Sequence, residues 1–197
     1  MFSNKKKTVF ISGSAYEYGR FGSAGKFLIR DLSRALLKND FKIVSGFGLG
    51  VGSHIVEGAL EEIHGNQQES IADQLQCFPF PPAGQSQKIR HSYRTDMISR
   101  TGVALFLFGN KLEDISIKEA DGLLMEFEIA RSQQVMLIPV GASGYASEKL
   151  WKRVMEGYDD YFETREKFEL FEQLGDPSTD PETLIDLVIR VADPHLQ

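Results

Sequence analysis

Three charged side chains and two glycine-rich stretches in this chain are suited to holding an anionic, hydroxyl-rich ligand. Arg94 can grip phosphate through a planar fork, and Lys111, directly after Gly109-Asn110, can neutralise it as a compact cation. Glu126 stands beside the apolar stripe Leu123, Phe127 and Ala130 of an expected helix, where a carboxylate suits hydrogen bonds from ribose hydroxyls. Arg90, four residues before Arg94, shares its helix face, which reads equally as a solvated basic surface. Gly13-Ser14 and the alternating glycines Gly46, Gly48, Gly50 and Gly52 each follow an apolar, β-branched run and precede helical spacing. Such strand–turn–helix junctions present orphan N–H groups and a partial positive charge, which attract phosphate. The match to the dinucleotide fingerprint is imperfect: Gly48-x-Gly50-x-x-Ser53 carries Ser at the third glycine, and no acid stands at the expected distance beyond it. A tight turn packed under a neighbour is the other reading of this stretch.

Other chemistries find little support. His54, His64, His91 and His195 lack metal-ligand spacing, and Gly52-Ser53-His54-Ile55 is no nucleophile elbow. Gly25-Lys26 is not a phosphate loop of the Walker type, because Arg20 stands where Gly is required and Phe27 where a magnesium-binding hydroxyl is required. The single cysteine, Cys77, lies in a short apolar run and reads as a core thiol, which suits a reducing, cytoplasmic setting. A net charge of −6 argues against a nucleic-acid-coating surface, and no apolar run is long enough for a membrane span.

The elements that must position these residues alternate. Strands are expected at 8–12, 41–45, 75–78, 102–108 and 135–140, with helices at about 27–37, 53–64, 88–100, 119–132, 148–155, 160–174 and 181–191. Phe78-Pro-Phe-Pro-Pro-Ala-Gly84 reads as an ordered loop, and Lys111 opens a charged one. The alternation, 197 residues and 42% hydrophobic content predict a single α/β domain: a Rossmann-like, doubly wound, mostly parallel sheet flanked by helices. Residues 1–7 read as a flexible tail or linker and 8–194 as the domain. Four strands end in glycine or small polar residues, so the site is expected at the carboxyl edge of the sheet.

From about Thr8 to Trp151 the chain resembles SLOG domains, the superfamily that includes the LOG (lysine-decarboxylase-like) phosphoribohydrolases. Six motifs carry the resemblance in order: Val9-Phe-Ile-Ser-Gly-Ser-Ala15, Ser45-Gly-Phe-Gly-Leu-Gly-Val-Gly-Ser53, Arg94-Thr-Asp-Met97, Phe106-Leu-Phe-Gly-Asn-Lys111, Gly122-Leu-Leu-Met-Glu126 and Ile138-Pro-Val-Gly141. Among SLOG domains it is most similar to the sensor domain at the C-terminal end of Thoeris antiphage NADase effectors. The resemblance implies a cytoplasmic receptor for a cyclic ADP-ribose isomer made by a TIR-domain enzyme, needing no cofactor, and allosterically activating an attached sirtuin-like NADase in antiphage defence. In that family an Arg, a Lys and a Glu contact the signal, and by motif position these are Arg94, Lys111 and Glu126. The ligand set expected here adds Gly13, Ser14, Gly46, Phe47, Gly48, Gly50, Gly109 and Asn110, without catalytic residues or metal.

LOG enzymes place Pro-Gly-Gly-x-Gly-Thr-x-x-Glu at the phosphate seat. Here only Gly122 and Glu126 match its end, Leu123 replaces Thr, and no Pro-Gly-Gly precedes. A LOG-like nucleoside 5′-monophosphate phosphoribohydrolase, with Arg94 holding phosphate and Glu126 assisting cleavage, is the alternative function. A purely structural oligomerisation domain is a third. A homo-oligomer is expected, for which Trp151, Tyr158, Phe162, Phe168 and Phe171 either form the interface or cover the sheet.

Overall fold

The computed structural model describes residues 5–65, 70–80 and 86–194. The expected loop Phe78–Gly84 therefore lies outside the described residues beyond Phe80, as do residues 66–68 of the break after Gly65.

The strands in chain order are β1 (Thr8–Ser14), β2 (Lys42–Ser45), β3 (Leu75–Cys77), β4 (Val103–Phe108), β5 (Asn110–Glu113), β6 (Ser116–Glu119) and β7 (Met136–Pro139). Five of them form one parallel sheet in the order β3-β2-β1-β4-β7. The chain thus winds outward from β1 to β3 and returns on the other side of β1, so strand order reverses between β1 and β4. Ligands of open α/β sheets bind at such a reversal, outside the carboxyl ends of the strands. Every residue of β4 is buried, as its continuous apolar run demands of a central parallel strand.

The helices are α1 (Ala24–Lys38), α2 (Gly52–Gly65), α3 (Ile71–Gln74), α4 (Gln87–Ile98), α5 (Asp121–Ser132), α6 (Tyr145–Glu156), α7 (Tyr158–Tyr161), α8 (Phe168–Gln173) and α9 (Pro181–Ala192). Their periodic apolar residues, such as Leu28, Leu32 and Leu36 of α1, pack on the sheet as one core. Asp180 caps α9 by accepting from the Glu182 and Thr183 amides, with Pro181 in the first turn.

Three expectations need correction. Asn110–Glu119, expected as a charged loop, is the antiparallel β5–β6 hairpin, with Lys111 opposite Lys118 and Leu112 opposite Ile117. Phe108 and Gly109 at φ 56° and 92° reverse the chain after β4, and Asp114 at φ 56° makes the turn. The helix expected over 160–174 divides into α7 and α8, because Phe162 takes extended backbone and turns its ring onto Tyr158, 4.7 Å away. Of the two readings of the C-terminal aromatics, burial in the core holds for Tyr158 and Phe171, and Trp151 Nε1 donates to the Phe171 carbonyl at 2.7 Å. Cys77 ends edge strand β3 and is exposed, not a core thiol. Lys5–Lys7, within the stretch assigned to a tail, form a 3-10 turn; Lys7 lies over the Phe41 ring and pairs with Asp193 at 3.4 Å.

Candidate functional site

Glu126, on the second turn of α5, faces the start of the sheet's reversal and is only 8% exposed. Its Oε2 accepts from the Ser12 hydroxyl of β1 at 2.6 Å, and its Oε1 accepts from Arg94 Nε of α4 at 3.1 Å. Burial pushes the Glu126 carboxyl above the ordinary glutamate range, opposed by the Ser12 hydrogen bond and by Arg94. Three elements far apart in sequence are thereby tied at one point.

Arg94 is held on two sides. Its guanidinium lies 4.3 Å from the centre of the Phe80 ring, a cation–π contact, while Nε is fixed by Glu126. Gly122 leaves the third side open to it: a Cβ there would stand 3.0 Å from Arg94 Nη2. The two Nη groups make no hydrogen bond among the described residues, so the fork is oriented and has donors to spare.

The Arg94–Glu126 pair lines a cavity of about 220 Å³ between the ends of β1, β2 and β5. Of the expected ligand set, Gly13, Ser14, Gly46, Gly48, Arg94, Lys111 and Glu126 line it. Ser14 Oγ is shielded from solvent and has no hydrogen-bond partner among the described residues, an unpaired polar atom on the cavity wall. Lys111 Nζ sits 2.8 Å from Asp121 and 3.6 Å from Glu113, and the Asp121 hydrogen bond raises its pKa. These are solvent-screened surface pairs, which an incoming phosphate can displace.

Phe47, Gly50, Gly109 and Asn110 do not line this cavity. Asn110 is buried and braces the loop after β1: Oδ1 accepts from the Tyr16 and Glu17 amides at 2.9 and 3.1 Å, and Nδ2 donates to the Glu17 carbonyl at 2.9 Å. The glycine run serves close packing as well as the cavity. A Cβ on Gly48 would stand 1.9 Å from the Gly13 carbonyl oxygen, and one on Gly50, at φ 70°, 1.9 Å from that of Ala15. The amides of Val51 and Gly52 return to the Gly48 carbonyl, and the Phe47 amide donates to Ser45 Oγ. The packed-turn reading therefore accounts for Gly48 and Gly50, while Gly46 and Gly48 also form cavity wall.

Phe10, Ile11, Ser12, Phe80, Ala120 and Leu123 complete the lining and were not foreseen as site residues; Gly122 was noted only as part of a motif. Ser12 had a signal, being a lone hydroxyl at the end of the apolar run Val9-Phe-Ile. Phe80 had none, because a Pro-rich loop says nothing of where its aromatic side chains turn. Among the described residues no cluster of His, Cys, Asp or Glu could hold a metal ion, and no helix is long and apolar enough to cross a membrane.

The model of the Sir2- and TIR-associating SLOG family, abbreviated STALD, matches residues 2–194. The chain is 41% identical over 193 residues to the NAD(+) hydrolase ThsA of Bacillus cereus (strain MSX-D12), covering 96% of this chain and 40% of that protein. It is 37% identical over 194 residues to NAD(+) hydrolase ThsA of Cytobacillus dafuensis, with 94% and 39% covered. The counterpart from Enterococcus faecium is 35% identical over 195 residues, with 95% and 40% covered. The chain spans about 40% of the length of these curated relatives. With its parallel reversed sheet and the matches running almost from end to end, the chain belongs to the Sir2- and TIR-associating SLOG family.

Proposed function

We propose that this domain is the ligand sensor of an NAD+ hydrolase. It binds an ADP-ribose-type nucleotide, a cyclic ADP-ribose isomer made by a TIR-domain enzyme, and passes occupancy to a sirtuin-like NADase on the same polypeptide. The observation that carries this reading is the buried Ser12–Glu126–Arg94 cluster at the strand-order reversal, with both Nη groups of Arg94 left for a ligand. Membership of a family described as associating with Sir2 and TIR domains supports the attached and partner enzymes. The relatives' name as NAD(+) hydrolases supports the output.

In this mechanism Arg94 and Lys111 neutralise the pyrophosphate and Ser14 Oγ donates to it. Glu126, already oriented by Ser12, accepts from a ribose hydroxyl. Each charge-assisted hydrogen bond contributes about 1.5–3 kcal/mol. Signalling requires that ligand bind one arrangement of the full protein better than another, since equal affinity shifts nothing. The second reading, a nucleoside-monophosphate hydrolase, is favoured by one observation: the raised pKa of Glu126 suits a proton donor to a leaving base. Against it, the Pro-Gly-Gly of the LOG phosphate seat is missing before Gly122, and Leu123 replaces its Thr.

Incubation with AMP, ADP-ribose and cyclic ADP-ribose isomers, followed by chromatography, separates the two. The sensor reading expects every nucleotide back intact. Release of free base and ribose phosphate from AMP, lost in Glu126→Gln, would replace it by the enzyme.

A further inference from the structure

A second cavity of about 610 Å³ opens beside the first, and the two share Arg94, Lys111, Ala120 and Gly122 as walls. The inner chamber alone falls below the roughly 300–1,000 Å³ usual for small-molecule sites, so a ligand with two sugar–phosphate limbs must extend into the outer one. The outer chamber has its own chemistry. Lys88, Arg90 and His91 of α4 line it, and none of the three has an acidic partner among the described residues. Arg90 Nε is shielded from solvent and also lacks a hydrogen-bond partner among them. The acid lining this chamber, Asp121, is committed to Lys111 at 2.8 Å. In a chain of net charge −6, two cations without acidic partners, Lys88 and Arg90, in a concave wall focus a positive potential where an anion would sit. Met125, half-exposed, adds an apolar patch to the same wall.

We infer that the outer chamber is a second phosphate subsite, in which Lys88 and Arg90 hold one phosphate of the nucleotide's pyrophosphate while Arg94 and Lys111, on the wall shared with the inner chamber, hold the other. The inference rests on the sensor reading for its ligand, but the subsite itself can be tested with inorganic anions. Lys88 is exposed and Arg90 half-buried on the outer face of α4, so the Lys88→Ala/Arg90→Ala double variant keeps the fold, as circular dichroism would confirm. Inorganic pyrophosphate is titrated by phosphorus NMR into the wild type, the double variant and Arg94→Ala, and each protein is then titrated calorimetrically with a cyclic ADP-ribose isomer.

The double variant is expected to weaken pyrophosphate and cyclic nucleotide binding by tenfold or more each, with Arg94→Ala weakening the nucleotide further. A wild type that does not bind pyrophosphate, or a double variant that binds it as the wild type does, would overturn the subsite. Either result leaves the inner site to its own test. Loss of nucleotide binding in Arg94→Ala with none in the double variant would place the whole ligand in the inner chamber and also overturn it.

Discussion

Glu126 carries a carboxyl group into a place where water contributes almost nothing to its solvation, and Ser12 and Arg94 take over that task. Because burial raises its pKa, the folded chain holds this proton more tightly than the unfolded chain does. The resulting stability is complete below the ordinary value of 4.5 and is lost as pH rises through the raised one. Urea midpoints of the wild type are therefore expected to fall relative to Glu126→Gln as pH increases from about 4. Midpoints that follow parallel courses in the two proteins would contradict the raised pKa. Arg94→Ala removes the oriented fork and is expected to weaken nucleotide binding by about tenfold to a hundredfold, in line with about 1.5–3 kcal/mol for one charge-assisted contact. Lys111→Ala is expected to cost less, because Lys111 must leave Asp121 to reach a phosphate. Calorimetry on the three proteins ranks them; equal affinity in Arg94→Ala would remove Arg94 from the site.

At the level of elements, the site depends on how closely the loops after β1 and β2 approach. Gly48→Ala would drive a methyl group into the Gly13 carbonyl and is expected to destabilise by about 1–3 kcal/mol or more, whereas Gly65→Ala meets nothing within 4 Å among the described residues and should be close to neutral. Chemical denaturation compares them, and a Gly48→Ala protein as stable as Gly65→Ala would contradict the packing described. Strands β1, β2, β4 and β7 and helices α1, α2, α5 and α9 were readable from apolar periodicity, since each buries an apolar stripe or run, whereas β3 and α4 bury little and were read from their place in the alternation. The charged trio was readable because Arg94, Lys111 and Glu126 flank recognisable strand ends. The β5–β6 hairpin was not: its turn rests on Asp114 in a left-handed conformation, without the Asn-Gly or Asp-Gly pair that would announce it. Nor was the role of Asn110, whose partners lie 93 and 94 residues away. Contacts of that range leave no local pattern.

For the molecule as a whole, the C-terminal segment is part of the fold. Phe171 is fully buried, with Tyr158 and Phe162 rings 5.7 and 4.8 Å away. Phe171→Ala is expected to destabilise the domain by about 3–5 kcal/mol while leaving its association state unchanged. Sedimentation showing that the substitution dissociates an oligomer without loss of stability would return these aromatics to an interface. Ligand binding should stabilise the same folded unit by about 2.7 kcal/mol at a hundredfold excess over Kd. The central claim, that this SLOG-family domain senses an ADP-ribose-type signal through the Arg94–Glu126 cluster, is tested most directly by calorimetric titration of the wild type with AMP, NAD, ADP-ribose and the cyclic ADP-ribose isomers. The account predicts saturable binding of a cyclic isomer, tighter than that of AMP or NAD. Failure of every ADP-ribose-type nucleotide to bind, with the domain folded, would contradict it.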